Sequence, residues 1–373
     1  MVENQSRDQI IVRTSIIGII ANILLASFKA IIGLLTNSIA ITLDAVNNLS
    51  DAASSIITII GTKLAGKEPN KKHPYGYGRI EYMSAMVISL IVLYAGLTSL
   101  KESITKIVHP TAASYTNIAL IIVAVAVLVK FVLGRFVKAT GEKVNSGSLI
   151  ASGTDASLDS VISLTTLIAA LIFIFTGISL EAWLGAIISL VIIKSGIEIL
   201  KDTISQLLGE QADPALVRDI KKTVNSFPEV SGAYDLILHN YGPDRYQGSI
   251  HIEICDTMTA KEIDSLIRRI TNKVYQEHNI ILTGVGLYAH NTHDDFAHEL
   301  EEAYRKEVLA IPHVLAMHGF YFEEETKTVR FDAVVSFSSP SRKASYQEIV
   351  DQASALYPDY KVYVAMDMDY NEL

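Results

Sequence analysis

The sequence predicts a bundle of membrane-spanning α-helices followed by a soluble α+β tail. Two observations carry this. Half of the 373 residues are hydrophobic and 19% are charged, which is apolar for a soluble domain. The apolar residues are also unevenly spread. Up to about residue 208 they form long runs, each enough for the roughly 20 residues that a bilayer core demands. The remainder alternates like an ordinary soluble domain.

Six membrane helices are expected, at roughly 9–34, 38–62, 80–104, 115–138, 148–176 and 178–204. The start, "MVENQSRDQIIVRTS", is polar and mixed in charge, with no pattern of a cleavable signal peptide. Basic residues set the orientation. Lys63, Lys67, Lys71, Lys72 and Arg79 follow helix two, and Arg135, Lys138 and Lys143 follow helix four. The opposite loops are nearly bare of them. Both termini are therefore expected in the cytoplasm of a multi-pass cell-membrane protein. Lys29 and Lys130 fall within helices one and four, where each is expected to stretch towards a polar boundary.

Two helices break the apolar pattern with acids. Helix two reads "LDAVNNLSDAASS", with Asp44, Asn47 and Asp51, and helix five reads "SGTDASLDSVISL", with Asp155 and Asp159. Asn47 and Asp51 are one turn apart on one face, and Asp155 and Asp159 repeat the spacing. If the two faces meet, three carboxylates and one amide oxygen converge. Like charges in a low dielectric need a cation or protons to neutralise them. A four-ligand cation site follows, with Asp44 as an outer helper and Asn48 off the face. The competing reading is that the acids cap helices, pair with lysines or face a water-filled crevice. All four donors are oxygens, which suit magnesium, calcium and manganese; zinc would be expected to recruit histidine, and the six stretches contain none.

These motifs resemble the cation diffusion facilitator family of divalent-metal efflux transporters. "LDAVNNLSDAASS", "HPYGYGRIEYMSA" entering helix three, the Asp-x-x-x-Asp of helix five and the later "GSIHIEI" carry the resemblance. It implies that Asn47, Asp51, Asp155 and Asp159 are the transport ligands. Zinc-transporting members commonly have histidine where Asp155 stands, and the Asn-Asp-Asp-Asp set is similar to that of bacterial manganese exporters. The resemblance also implies exchange of metal for protons, a homodimer, and a charged entry to helix three at Arg79 and Glu81; a lock between Arg79 and Asp202 and an Arg79 that simply snorkels are equal expectations there. A second loop site is not expected, because Tyr77 stands where some members keep a histidine partner for His73.

The tail reads αββαβ. It opens on "DPALVRDIKKTVNSF", with Asp213 as N-cap and Pro214 at the first helical position. A second helix is expected from Thr259 to His278. The family's tail has this ferredoxin-like order. His251 and His290 are candidate tail ligands, weakened because Tyr234 and Thr292 occupy other ligand positions. Residues 293–373 are expected to form a second, degenerate module, with a helix over about 345–355: "VNSFPEVSGAYDLILHN" is echoed by "VLAIPHVLAMHGFYFEE". The expected domains are thus 1–208, 209–292 and 293–373. The segment "HNTHDDFAH" between the modules is expected to be a solvated linker with N-capping aspartates, a regulatory metal site being the alternative reading.

The functional expectation is Mn2+ export from the cytoplasm in exchange for protons, by alternating access. Zn2+, Fe2+ or Co2+ export on the same fold, or a membrane-anchored metal sensor, are the alternatives. A passive channel lacks a pore-loop pattern. No nucleophile–base set or phosphate-binding loop suggests an enzyme or a cofactor. The net charge of −9 argues against nucleic acid as a partner. A single cysteine, Cys255, excludes an intrachain disulfide.

Overall fold

The computed structural model describes residues 2–35, 39–109, 117–176, 181–243, 245–292 and 295–368, less some helical side chains, those of Asp44 and Asn47 among them. The chain divides into two compact units: Met1–Glu210 with Tyr241–Asp244, and Gln211–Asn240 with Arg245–Leu373.

The first unit holds six helices: α1 Val2–Leu35, α2 Ile39–Ala65, α3 Ile80–Val108, α4 Asn117–Lys143, α5 Gly147–Thr176 and α6 Glu181–Leu208. They pack mainly in pairs, α1 on α2, α3 on α6 and α4 on α5. Small residues bring α4 and α5 close. A Cβ at Gly134 would lie 2.7 Å from the Ser157 backbone nitrogen, and one at Gly141 would lie 2.8 Å from that of Ile150. Without a hydrophobic drive between helices in lipid, such close approach is a main source of association.

Among the described residues, three stretches are long and apolar enough to cross a bilayer by length and composition: Arg7–Ile31, Ile80–Val108 and Ala182–Leu208. The other three helices are of comparable length; α2 and α5 carry the acids and α4 carries Lys130. The helix α1 starts at Val2, earlier than hydropathy suggests, and its first turns are tied down by Arg7. That guanidinium donates to both Glu81 carboxylate oxygens, at 3.1 and 3.0 Å, and to the carbonyls of Val144 and Asn145, at 2.7 and 2.9 Å. One side chain thereby joins α1, the start of α3 and the α4–α5 turn. Glu81 is 1% exposed, so this is a desolvated, bidentate pair.

The second unit contains α7 Pro214–Val224, β1 Gly232–Asn240, β2 Tyr246–Cys255, α8 Ala260–His278 and β3 Ile281–His290. The order then repeats as α9 Asp295–Leu309, β4 Val314–Glu323, β5 Thr328–Val335, α10 Arg342–Leu356 and β6 Lys361–Asp367. Each set forms a three-stranded sheet, β1-β2-β3 and β4-β5-β6. In each, the first pair is antiparallel and the second parallel, the connection being a helical crossover.

Local chemistry sets the helix starts. Asp213 accepts from Ala215 N at 2.8 Å, with Pro214 following. Thr259 and Glu262 form a reciprocal capping box on α8. The helix α10 begins at Arg342, about a turn before the expected position, because Ser341 caps it by accepting from Ala344 N. Each sheet has its own core. Val217, Ile220, Leu266 and Ile270 pack with Leu236 and Ile252 in the first, and Leu300, Tyr304 and Ile349 with Phe320, Val329 and Phe331 in the second.

Candidate metal centre

Asp51 stands on α2, and Asp155 and Asp159 stand one turn apart on α5. The two helices touch, and Asp51 comes within electrostatic reach of Asp155. Asp51 and Asp159 keep 12% and 19% of their side chains exposed. Asp155 is half-buried and within electrostatic reach of both Asp51 and Lys130. Asn47 lies on α2 one turn before Asp51. Its side chain and that of Asp44 are outside the described residues.

Lys130 departs from expectation. It does not stretch to a boundary. It is 1% exposed, and its ammonium donates to Asp51 Oδ2 at 2.8 Å and to Asp159 Oδ2. The fourth helix supplies a fixed cation to Asp51 and Asp159, the lysine pairing that the competing reading expected of these acids. The reason is chemical: two carboxylates away from bulk water attract the nearest positive charge more strongly than a distant interface can. Lys29 is also buried, at 1% exposure.

Asn48, expected off the ligand face, lies inside the helix bundle. It is fully buried, and neither amide atom hydrogen-bonds to another described residue.

No ion pair joins Arg79 to Asp202 among the described residues. Asp202 is exposed, while the Arg79 guanidinium lies 4.9 Å from the Tyr241 ring centroid. At this end of α3, Arg7 pairs with Glu81, a link across 74 residues that no local pattern announces. His73 is exposed, its ring 4.6 Å from that of Tyr77.

In the tail, His251 and His290 stand at different steps of the β2–β3 ladder: His251 pairs with Gly286, and Cys255 with His290. The two imidazoles therefore do not share one point. His251 Nδ1 lies 3.1 Å from Asp235 Oδ2. This neighbour raises the His251 pKa against the opposing effect of burial. Of the linker, His293 and Asp294 lie outside the described residues, and Asp295 opens α9.

Residues 15–208 match the family model described as the cation efflux transmembrane domain, more than half of the chain. The chain belongs to the cation efflux family. Residues 212–283 match the cation efflux protein cytoplasmic domain, so the first part of the tail of this membrane protein corresponds to that domain, and neither match extends past residue 283. Relatives of this cation efflux protein include an uncharacterized transporter of Methanocaldococcus jannaschii, 29% identical over 71% of this chain and 93% of the relative. The manganese efflux system protein MneP of Bacillus subtilis is 25% identical over 73% of this chain and 93% of its own length. A cadmium, cobalt and zinc/H(+)-K(+) antiporter of Bacillus velezensis is 27% identical over 66% and 79%.

Proposed function

We propose that this cation efflux protein exports Mn2+ from the cytoplasm in exchange for protons, by alternating access, through Asn47, Asp51, Asp155 and Asp159. The observation that carries the reading is the meeting of Asp51 and Asp159 around one buried ammonium, with Asp155 alongside. Three carboxylates around one ammonium leave net negative charge away from bulk water. A divalent cation or protons neutralise it, which is the condition for exchange.

The all-oxygen donor set supports manganese over zinc, and the relative named as a manganese efflux protein supports the same choice. The antiporter among the relatives supports proton coupling. Its printed metals also keep zinc or cobalt export as the second reading of the same site. A membrane-anchored sensor, signalling through the doubled tail, is the reading from another class.

The topology that goes with this function has six spans and both termini in the cytoplasm. The domains are 1–208, 209–292 and 293–373, each tail domain being ferredoxin-like, and the protein works as a homodimer. The basic residues after α2 and α4 support that orientation.

Reconstituted liposomes test the proposal. Mn2+ flux should follow an imposed pH gradient, and Asp155→Ala and Asp159→Ala should each abolish it in a chain that still folds and dimerises. Normal flux through both variants would remove the site assignment. Metal binding without any flux would favour the sensor.

A further inference from the structure

The second half of the tail lies beyond both family matches, and it builds a polar cluster with the first. In β1, Tyr234 pairs with His251, and the strand bulges just after Tyr234. In β4, His318 pairs with Asp332, and the strand bulges just after His318. The next residues, Asp235 and Gly319, both adopt positive φ, 52° and 63°. Tyr234 and His318 therefore hold equivalent places in the two modules. Their rings stack on each other, with centroids 4.8 Å apart and planes 8° apart. The two modules thus meet through matching bulges, and the bulges aim Asp235 and His318 into the junction.

Three features of this junction point to a cation site. First, Asp235, His318 and Asp332 each offer a ligand atom, and these atoms lie within 4.8 Å of one another. Ligands bound at about 2.0–2.2 Å sit no more than about 4.4 Å apart across an ion, so a small side-chain rotation closes the set. Second, the positive charge falls short. The Tyr288 hydroxyl lies 2.6 Å from Asp235 Oδ2 and 2.7 Å from Asp332 Oδ2, yet one hydroxyl has one proton to donate. Asp367 brings a third carboxylate, 3.7 Å from His318 Nε2. Among the described residues, no lysine or arginine forms an ion pair with any of the three carboxylates. Third, the His318 side chain is 2% exposed, and its Nε2 sits 3.0 Å from Asp235 Oδ1, but not along a hydrogen-bonding direction, so that nitrogen has no hydrogen-bond partner. Two atoms converging at that distance off the N–H axis have the relation of neighbouring ligands on an ion. Asp367 Oδ2 is likewise buried without a hydrogen bond.

We infer that the junction of the two tail modules is a divalent transition-metal site, held by His318, Asp235 and Asp332. Asp367 and Tyr288 line it, and His251 backs Asp235 from outside. One imidazole with carboxylates suits Mn2+, Fe2+ or Zn2+ and disfavours the alkaline earths. An ion there ties β1 of one module to β4 and β5 of the other. The inference does not depend on which ion crosses the membrane.

Mn2+ is the probe that separates this site from the transport site, because the transport set contains no histidine. Full-length protein in detergent is loaded with Mn2+ and read by electron spin echo modulation. The bound ion should show imidazole 14N couplings. His318→Gln should remove them and weaken that class of Mn2+ site at least about tenfold, whereas His251→Gln should keep them. Asp332→Asn preserves shape and the Tyr288 contact, and should weaken the same site even if His318→Gln disturbs folding. Absence of 14N coupling in the wild-type chain, or its survival in folded His318→Gln, would overturn the inference. Flux in liposomes reads the transport quartet separately, so the two failures are distinguishable.

Discussion

Lys130 Nζ lies 2.8 Å from Asp51 Oδ2, and Asp159 accepts from the same ammonium. A lysine from α4 thus stands where the carboxylates of α2 and α5 converge. Removing one member of such a buried set leaves the others uncompensated, at a cost of about 3–5 kcal/mol. Lys130→Ala should therefore lower the metal-free thermal stability of the detergent-solubilised chain by roughly that amount. Added Mn2+ should restore most of it by supplying the lost charge. Melting curves with and without Mn2+ check this. Equal losses in both conditions would separate Lys130 from the cation site.

Asp155 is the position that distinguishes the oxygen-only donor set from one containing imidazole. Asp155→His should shift preference from Mn2+ towards Zn2+. Competition between the two ions in liposome flux is the measurement. An unchanged metal profile would locate selectivity outside the quartet.

Arg7 and Glu81 predict an order of stabilities. Glu81→Ala breaks a buried bidentate pair and strands Arg7, costing about 3–5 kcal/mol. Asp202 is exposed, so Asp202→Ala should stay within about 0.5 kcal/mol of the wild-type chain. Thermal midpoints of the two variants decide, and equal losses would count against the assignment of the lock to Arg7 and Glu81.

Gly319 occupies a left-handed backbone position in β4, at φ 63°. A Cβ there would lie 2.5 Å from Tyr288 Cδ1. Gly319→Ala should destabilise the tail by about 1–3 kcal/mol and loosen the contact between the modules. Hydrogen exchange should show faster opening of β3 and β4 than of β2. Protection unchanged across β3 and β4 would contradict this.

Within single elements, the chain itself was informative. The spacing of Asp155 and Asp159 puts both on one helical face, Asp213–Pro214 starts α7, and Thr259 with Glu262 starts α8. These are local matters, decided by 3.6-residue periodicity and by donors and acceptors a few positions apart. The echo of "FPEV" in "IPHV" marked the second αββαβ order for the same reason: each repeat carries its own turn and strand signals.

Tertiary packing alone decided the partners. Lys130 is 79 residues from Asp51 and 29 from Asp159, and Arg7 is 74 from Glu81. Periodicity says which side chains share a face, but not which face of another helix it meets. Hydropathy treats a lysine in an apolar run as a group seeking water, whereas the bundle offers it carboxylates. Asp235, His318 and Asp332 belong to three different strands, and alternation assigns each to a face of its own sheet. The two bulges bring Asp235 and His318 to a common junction, and a bulge is a product of strand pairing that no run of residues specifies by itself. Sequence determined the elements and their chemistry; the meeting of elements, a balance of packing and charge over the whole chain, determined the sites.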